Sequence, residues 1–225
     1  VERALKGPSQ LVAGILEYAW PIIVVVLLTL ETIGFFRVVM NSSTGDMLDG
    51  IEFKKLMTLA VVWMIYSLAL VWSGIRWNVI PWHHVGLALA VLSVCLAALR
   101  GITYMAIQDF TLIANFRVLS MLVVIAGAVV HAQWMRGKMY LGSWNADAIS
   151  VIGVIIILLL LDLITGETKD FFQKVKYLWE QEHGDSEGSA ELSRLSNLQQ
   201  LSLSAVWLLY SVVLMVVGIW RRHRG

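Results

Sequence analysis

Glu31, Arg37, Arg100, Arg117 and Asp162 are charged residues set within long apolar stretches of the chain. A charge at the centre of a bilayer costs about 3 kcal/mol or more, so such residues pair, line a polar path or reach for the interface. Arg37, Arg100 and Asp162 each lie within a turn or two of an expected helix end, where snorkelling serves as well as function. Glu31 differs: it lies thirteen residues from Tyr18 and nine from Met40, and a short acidic side chain cannot snorkel that far. Following the expected helices through the membrane puts all five in the same half of the bilayer. Two acids and three arginines at similar depth form a candidate intramembrane charge network. Within it Glu31 is expected to pair with Arg117 or Arg100, because an arginine fork matches a carboxylate.

Other chemistry finds less support. His83 and His84 are adjacent and point apart on a helix, whereas a metal site needs ligands on one face. His131 stands alone, and His183 and His223 fall in polar segments. Cys95 is the single cysteine and excludes an internal disulfide. The chain has no glycine-rich phosphate loop, nucleophile elbow or zinc-protease motif, so no catalytic residue, metal or cofactor is assigned.

The elements that must position these charges are read from composition. The 225 residues are 58% hydrophobic and 15% charged, with mean hydropathy +0.74 and a net charge of +1. A soluble domain is nearer half apolar and a quarter charged. The apolar residues fall in blocks of roughly 20, the thickness of a bilayer. The reading is an all-α, polytopic membrane protein with six transmembrane helices. Membrane lipid is its first partner, and nothing basic enough for nucleic acid is present.

In order, an interfacial helix is expected to start near Pro8 and end by Glu17. Helix one then spans Tyr18 to Met40, with Pro21 in its first turn, and 41–55 forms a polar loop. Helix two covers Leu56–Trp77, a tight turn follows at 78–81, and helix three covers Trp82–Leu99. Helix four covers Thr111–Trp134, helix five Ala148–Thr165 and helix six Leu201–Trp220. Between the last two, Phe171 to Trp179 puts Phe171, Val175, Leu178 and Trp179 on one side, as an amphipathic surface helix does. Lysine and arginine counts place the termini in the cytoplasm and the 166–200 segment outside.

The chain also repeats itself. Leu59, Val62, Trp63, Tyr66, Ser67, Leu70, Gly74 and Ile75 recur 144 residues later as Leu203, Val206, Trp207, Tyr210, Ser211, Leu214, Gly218 and Ile219. All but the last pair lie along one helical face, and a preserved face implies preserved packing. Trp63, Tyr66, Ser67 and Gly74, with Trp207, Tyr210, Ser211 and Gly218, are therefore expected to anchor two related helices against protein. The division expected is a first half at 1–110, a connecting helix at 111–147 and a second half at 148–225.

The second copy of this pattern, Leu201 to Ser211 with Gly218-Ile219 and the basic residues after it, resembles the repeat signature of domain-of-unknown-function family 2339. Asn115-Phe116-Arg117 resembles that family's Asn-x-Arg helix start. The resemblance implies a bacterial cell-envelope protein of the inner membrane, longer than this chain and built from many such helices. It assigns no activity. The chain starts at Val1 without methionine and stops after Arg221-Arg222-His223-Arg224-Gly225, so a piece of a longer protein is expected. Three functions remain open on these residues: a scaffold or assembly partner contacting other proteins through 166–200, an ion-coupled transporter or channel using Glu31, and a membrane enzyme acting on lipid-linked substrates near Asp162, Glu167 or Asp170.

Overall fold

A computed structural model describes residues 8–42, 47–103, 111, 115–137, 144–183 and 189–222. Among them the chain is all α, with no strand. Helix α1 is Pro8–Asn41, α2 Met47–Trp77, α3 Ile80–Thr103, α4 Phe116–Gly137, α5 Trp144–His183 and α6 Ser189–Arg222. All six are long and apolar enough to cross a membrane. In hydrocarbon each backbone N–H and C=O must be satisfied within its own segment, which a helix does.

The chain divides into two compact units. One comprises Val1–Arg100 with Ser120–Ile156, the other Gly101–Leu119 with Ile157–Gly225. In the first unit α2 is the central element, and its buried side chains include Met57, Ala60, Met64, Leu70 and Val71. Lipid tails are as apolar as leucine, so helices associate through close packing and polar bonds rather than through the hydrophobic effect. Small residues permit this. A Cβ on Gly86 of α3 would lie 2.7 Å from Val71 Cγ2 and 3.0 Å from the Ser67 carbonyl oxygen, so α3 rides directly on the α2 backbone. Gly127 of α4 likewise leaves the space that the Met64 side chain fills. Ser93 of α3 donates to the Ala60 carbonyl at 2.6 Å.

The α2–α3 turn closes by a helix-terminating motif. Asn78 adopts φ 57°, the left-handed region that asparagine tolerates, and the Val79 N–H donates to the Gly74 carbonyl at 3.0 Å. The tight turn expected at 78–81 is thus present but shorter, at Asn78 and Val79, since Ile80 and Pro81 already belong to α3.

Helix ends differ from the sequence reading. The Pro8–Glu17 segment is continuous with α1, which puts Pro21 inside the helix instead of in its first turn. Much of the expected 41–55 loop belongs to α2. Helix α4 begins at Phe116, not Thr111, because Asn115 caps it: the Asn115 Oδ1 accepts the Val118 N–H at 3.0 Å. The largest difference is in α5, which runs 40 residues without a break. Neither a proline nor a cap stops it at Gly166, and one glycine costs a helix only about 1 kcal/mol. Phe171 to Trp179 is helical as expected, but as the continuation of α5 rather than a separate surface helix. Phe171 and Leu178 are exposed there. Helix α6 pairs with this extension, and Lys176 Nζ donates to Gln199 Oε1 at 2.8 Å.

Candidate functional site

The second unit contains a buried polar clamp. The Asn115 carboxamide uses both ends. Its oxygen caps α4, and its Nδ2 donates to the Thr111 carbonyl at 3.1 Å and to Glu167 Oε1 at 2.7 Å. Two residues on, Arg117 Nη2 donates to Asp170 Oδ2, and the pair is almost sealed from solvent, 4% and 2% exposed respectively. Helical spacing explains the fit. Glu167 and Asp170 are three apart and share a face of α5. Gly166 on the same helix leaves room for the guanidinium: a Cβ there would lie 2.5 Å from Arg117 Nη1. Asp162 lies four residues before Gly166, on the same face of α5. Asp162 Oδ2 is buried without a hydrogen bond.

The expected charge network is therefore only partly assembled. Asp162 lies on the α5 face that Arg117 meets at Gly166, but the carboxylate that Arg117 holds is Asp170. Glu31 is not its partner. Glu31, Arg37 and Arg100 are exposed and make no ion pair among the described residues. The difference comes from α5: ending that helix at Thr165 leaves out Asp170, the carboxylate that its continuation brings to Arg117. Asp170, read as part of a surface helix, is the residue the expected network lacked.

The first unit holds a different polar contact. Ser67 Oγ is buried, donates to the Met64 carbonyl at 2.8 Å and lies 3.0 Å from His131 Nε2. His83 packs against Gly74, where a Cβ would lie 3.2 Å from its Cδ2. Tyr18 Oη and His84 Nδ1 are 3.5 Å apart at an exposed edge. Among the described residues no three His, Cys, Asp or Glu side chains gather where an ion could be held.

The two tryptophan-bearing helices make matching bonds. Trp63 Nε1 donates to Thr29 Oγ1 at 2.9 Å, and the Tyr66 hydroxyl donates to the Pro21 carbonyl at 3.3 Å. Trp207 Nε1 donates to Thr165 Oγ1 at 3.0 Å, and the Tyr210 hydroxyl donates to the Ile157 carbonyl at 2.6 Å. The donors are shifted by 144 residues, and both acceptors by 136. In that second frame Leu27, Thr29, Glu31, Thr32, Phe35, Phe36 and Val39 meet Leu163, Thr165, Glu167, Thr168, Phe171, Phe172 and Val175. Geometry follows identity. Thr29 and Thr165 each bond the carbonyl four residues back, as do Thr32 and Thr168. Phe35 with Phe36, and Phe171 with Phe172, stand edge to face with ring planes at 88° in both cases.

What surrounds the two pairs differs. Ser67 is buried, but Ser211 is exposed and bonds only its own helix, at the Trp207 carbonyl. Gly74 meets α3, but a Cβ on Gly218 would meet nothing within 4 Å. Trp207 is 51% exposed despite its bond. Comparison with family models, curated proteins and solved structures gives no match, so these matched helix pairs and the polar clamp are the features from which a function must be argued.

Proposed function

We propose that the chain is a membrane-embedded assembly module that binds further transmembrane helices rather than turning over a substrate. The observation that carries this is the contrast between α2 and α6. The two helices hold the same donors against α1 and α5. On α2 the face with Ser67 and Gly74 is covered by α3 and α4, whereas on α6 the equivalent face with Ser211 and Gly218 is open. An open small-residue face on a transmembrane helix is the kind of surface on which another helix docks closely. On this reading the two helix pairs are copies of one unit, and membership of domain-of-unknown-function family 2339, in a bacterial inner membrane with cytoplasmic termini, is the framework consistent with it. Contact with proteins through 166–200 is kept as part of the proposal, since the α5 extension leaves Phe171 and Leu178 exposed.

The rival readings gain less from the geometry. Of the three acids an enzyme could use, Asp170 holds Arg117 and Glu167 holds Asn115, which leaves Asp162 alone, with its Oδ2 buried and without a second acid free beside it. A transporter using Glu31 would need that residue on an interior path, yet it lies on an exposed strip of α1. The test is docking of a labelled peptide with the α3 sequence, Ile80–Thr103, onto the protein in lipid nanodiscs. Saturable binding lost in Gly218→Leu supports assembly. Unsaturable binding, or binding indifferent to Gly218→Leu, removes its main support.

A further inference from the structure

Glu31 and Glu167 occupy the same place in the shared Thr-x-Glu-Thr-x-x-Phe-Phe pattern, but what reaches the carboxyl group differs. Glu167 Oε1 receives the Asn115 side chain at 2.7 Å, from the residue that opens α4. Glu31 is exposed and has no hydrogen-bond partner among the described residues. Around it Leu27, Leu30 and Val38 are exposed, at 55%, 58% and 71%. A Cβ on Gly34 would meet nothing within 4 Å. These residues recur every three or four positions, so they form one bare strip along α1 with a glycine notch beside the carboxyl group.

We infer that Glu31 is the docking point for a separate transmembrane helix whose first turn carries an asparagine side chain, bound as Asn115 binds Glu167. This rests on the assembly reading and names the chemistry of one partner. The carboxamide is the right group for two reasons. Asn115 satisfies its own helix N-terminus with its oxygen and still has an N–H to give, so one residue both opens a helix and fixes it to the acid. A carboxyl group facing hydrocarbon is costly until a donor reaches it, so the bond favours the docked state over the bare one.

The arginine half of the clamp is not part of the inference. Arg117 needs Asp170 as partner and Gly166 as space. The corresponding positions on α1 are Gly34 and Leu30, which supply neither the charge nor the gap. The partner at Glu31 is therefore recognised by its amide and by close packing at Gly34, not by a guanidinium.

The experiment uses a labelled peptide with the sequence Asn115–Gly137 carrying Arg117→Ala, since α1 has no place for the guanidinium, titrated onto the chain in lipid nanodiscs and read by energy transfer. Saturable binding is expected, weakened about three- to tenfold by Glu31→Leu and equally by Asn→Leu in the peptide, with no further loss when both are changed. Glu31→Gln keeps a carbonyl acceptor and is expected to retain binding. Binding that survives Glu31→Leu, losses that add, or a loss in Glu31→Gln as large as in Glu31→Leu would each overturn the inference. So would self-association of the chain that depends on Glu31 in the absence of peptide, since the occupant would then be a second copy. The α3 peptide reads α6 separately, so either reading can fail alone.

Discussion

Trp207 donates its indole N–H to the Thr165 hydroxyl at 3.0 Å, in the manner of Trp63 and Thr29. Each bond crosses between two long helices and is joined a turn further along by a tyrosine hydroxyl on a backbone carbonyl. Carbonyls in a helix already accept one bond, so the tyrosine uses the second lone pair and leaves the helix intact.

Equal geometry implies equal energy. Trp63→Phe and Trp207→Phe remove the donor together with part of the ring, and the hydrogen bond's share of each loss is expected to be about 0.5–1.5 kcal/mol. Double-mutant cycles with Thr29→Val and Thr165→Val, read by denaturant unfolding in detergent micelles, are expected to give coupling energies that agree within about 0.5 kcal/mol. A coupling in one pair and none in the other would show that the resemblance is only geometric.

The buried ion pair makes a stronger demand. Arg117→Gln or Asp170→Asn leaves one charge sealed without its partner, at an expected cost of about 3–5 kcal/mol. The double substitution is expected to cost less than the sum of the two. Unfolding midpoints for the three variants decide the matter, and strict additivity would mean that the residues do not interact.

Glycine substitutions separate close packing from helix propensity. Alanine in mid-helix is favoured over glycine by about 1 kcal/mol. Gly153→Ala has open space and is expected to stabilise by up to about that amount. Gly166→Ala drives a methyl group into a guanidinium that Asp170 holds in place, and it is expected to destabilise. Thermal unfolding in a single detergent gives both signs, and stabilisation by Gly166→Ala would mean that Arg117 moves aside freely.

Ser67 and Ser211 offer a matched comparison. Ser67→Ala strands the buried His131 Nε2, at an expected cost of about 1–3 kcal/mol. Ser211→Ala removes a bond to its own helix on an exposed face, and it is expected to change stability by less than about 0.5 kcal/mol. Equal losses would mean that α6 is covered as α2 is.

The fold was legible in the sequence wherever a run of apolar residues matched the thickness of a bilayer. Helix ends were not legible, because lipid-length hydrophobicity says where a helix must exist and not where it stops. Only a cap or a breaker says that. Asn78 and Asn115 are such signals; Gly166 resembles one, but its role is to leave room for Arg117. The Trp-x-x-Tyr-Ser face stood out at a single shift of 144 residues. Its partner pattern from Leu27 to Val39 was equally present but sits at 136, so a comparison made at one shift passes over it. The difference of eight residues lies in the longer α5–α6 pair. Asp170 was out of reach for another reason: a charged residue in a polar stretch gives no sign that an arginine 53 positions earlier will bury it.

Docking on α6 tests the account most directly. A donor-labelled chain in lipid nanodiscs is titrated with an acceptor-labelled Ile80–Thr103 peptide, alongside Gly218→Leu and Ser211→Leu variants whose unfolding midpoints match the parent. The account predicts saturable energy transfer with the parent chain and a loss of about tenfold or more in affinity with Gly218→Leu, because a leucine side chain keeps the peptide backbone from approaching closely. Transfer that rises linearly with peptide, as chance proximity in a bilayer does, or saturable transfer unchanged by Gly218→Leu, would contradict it.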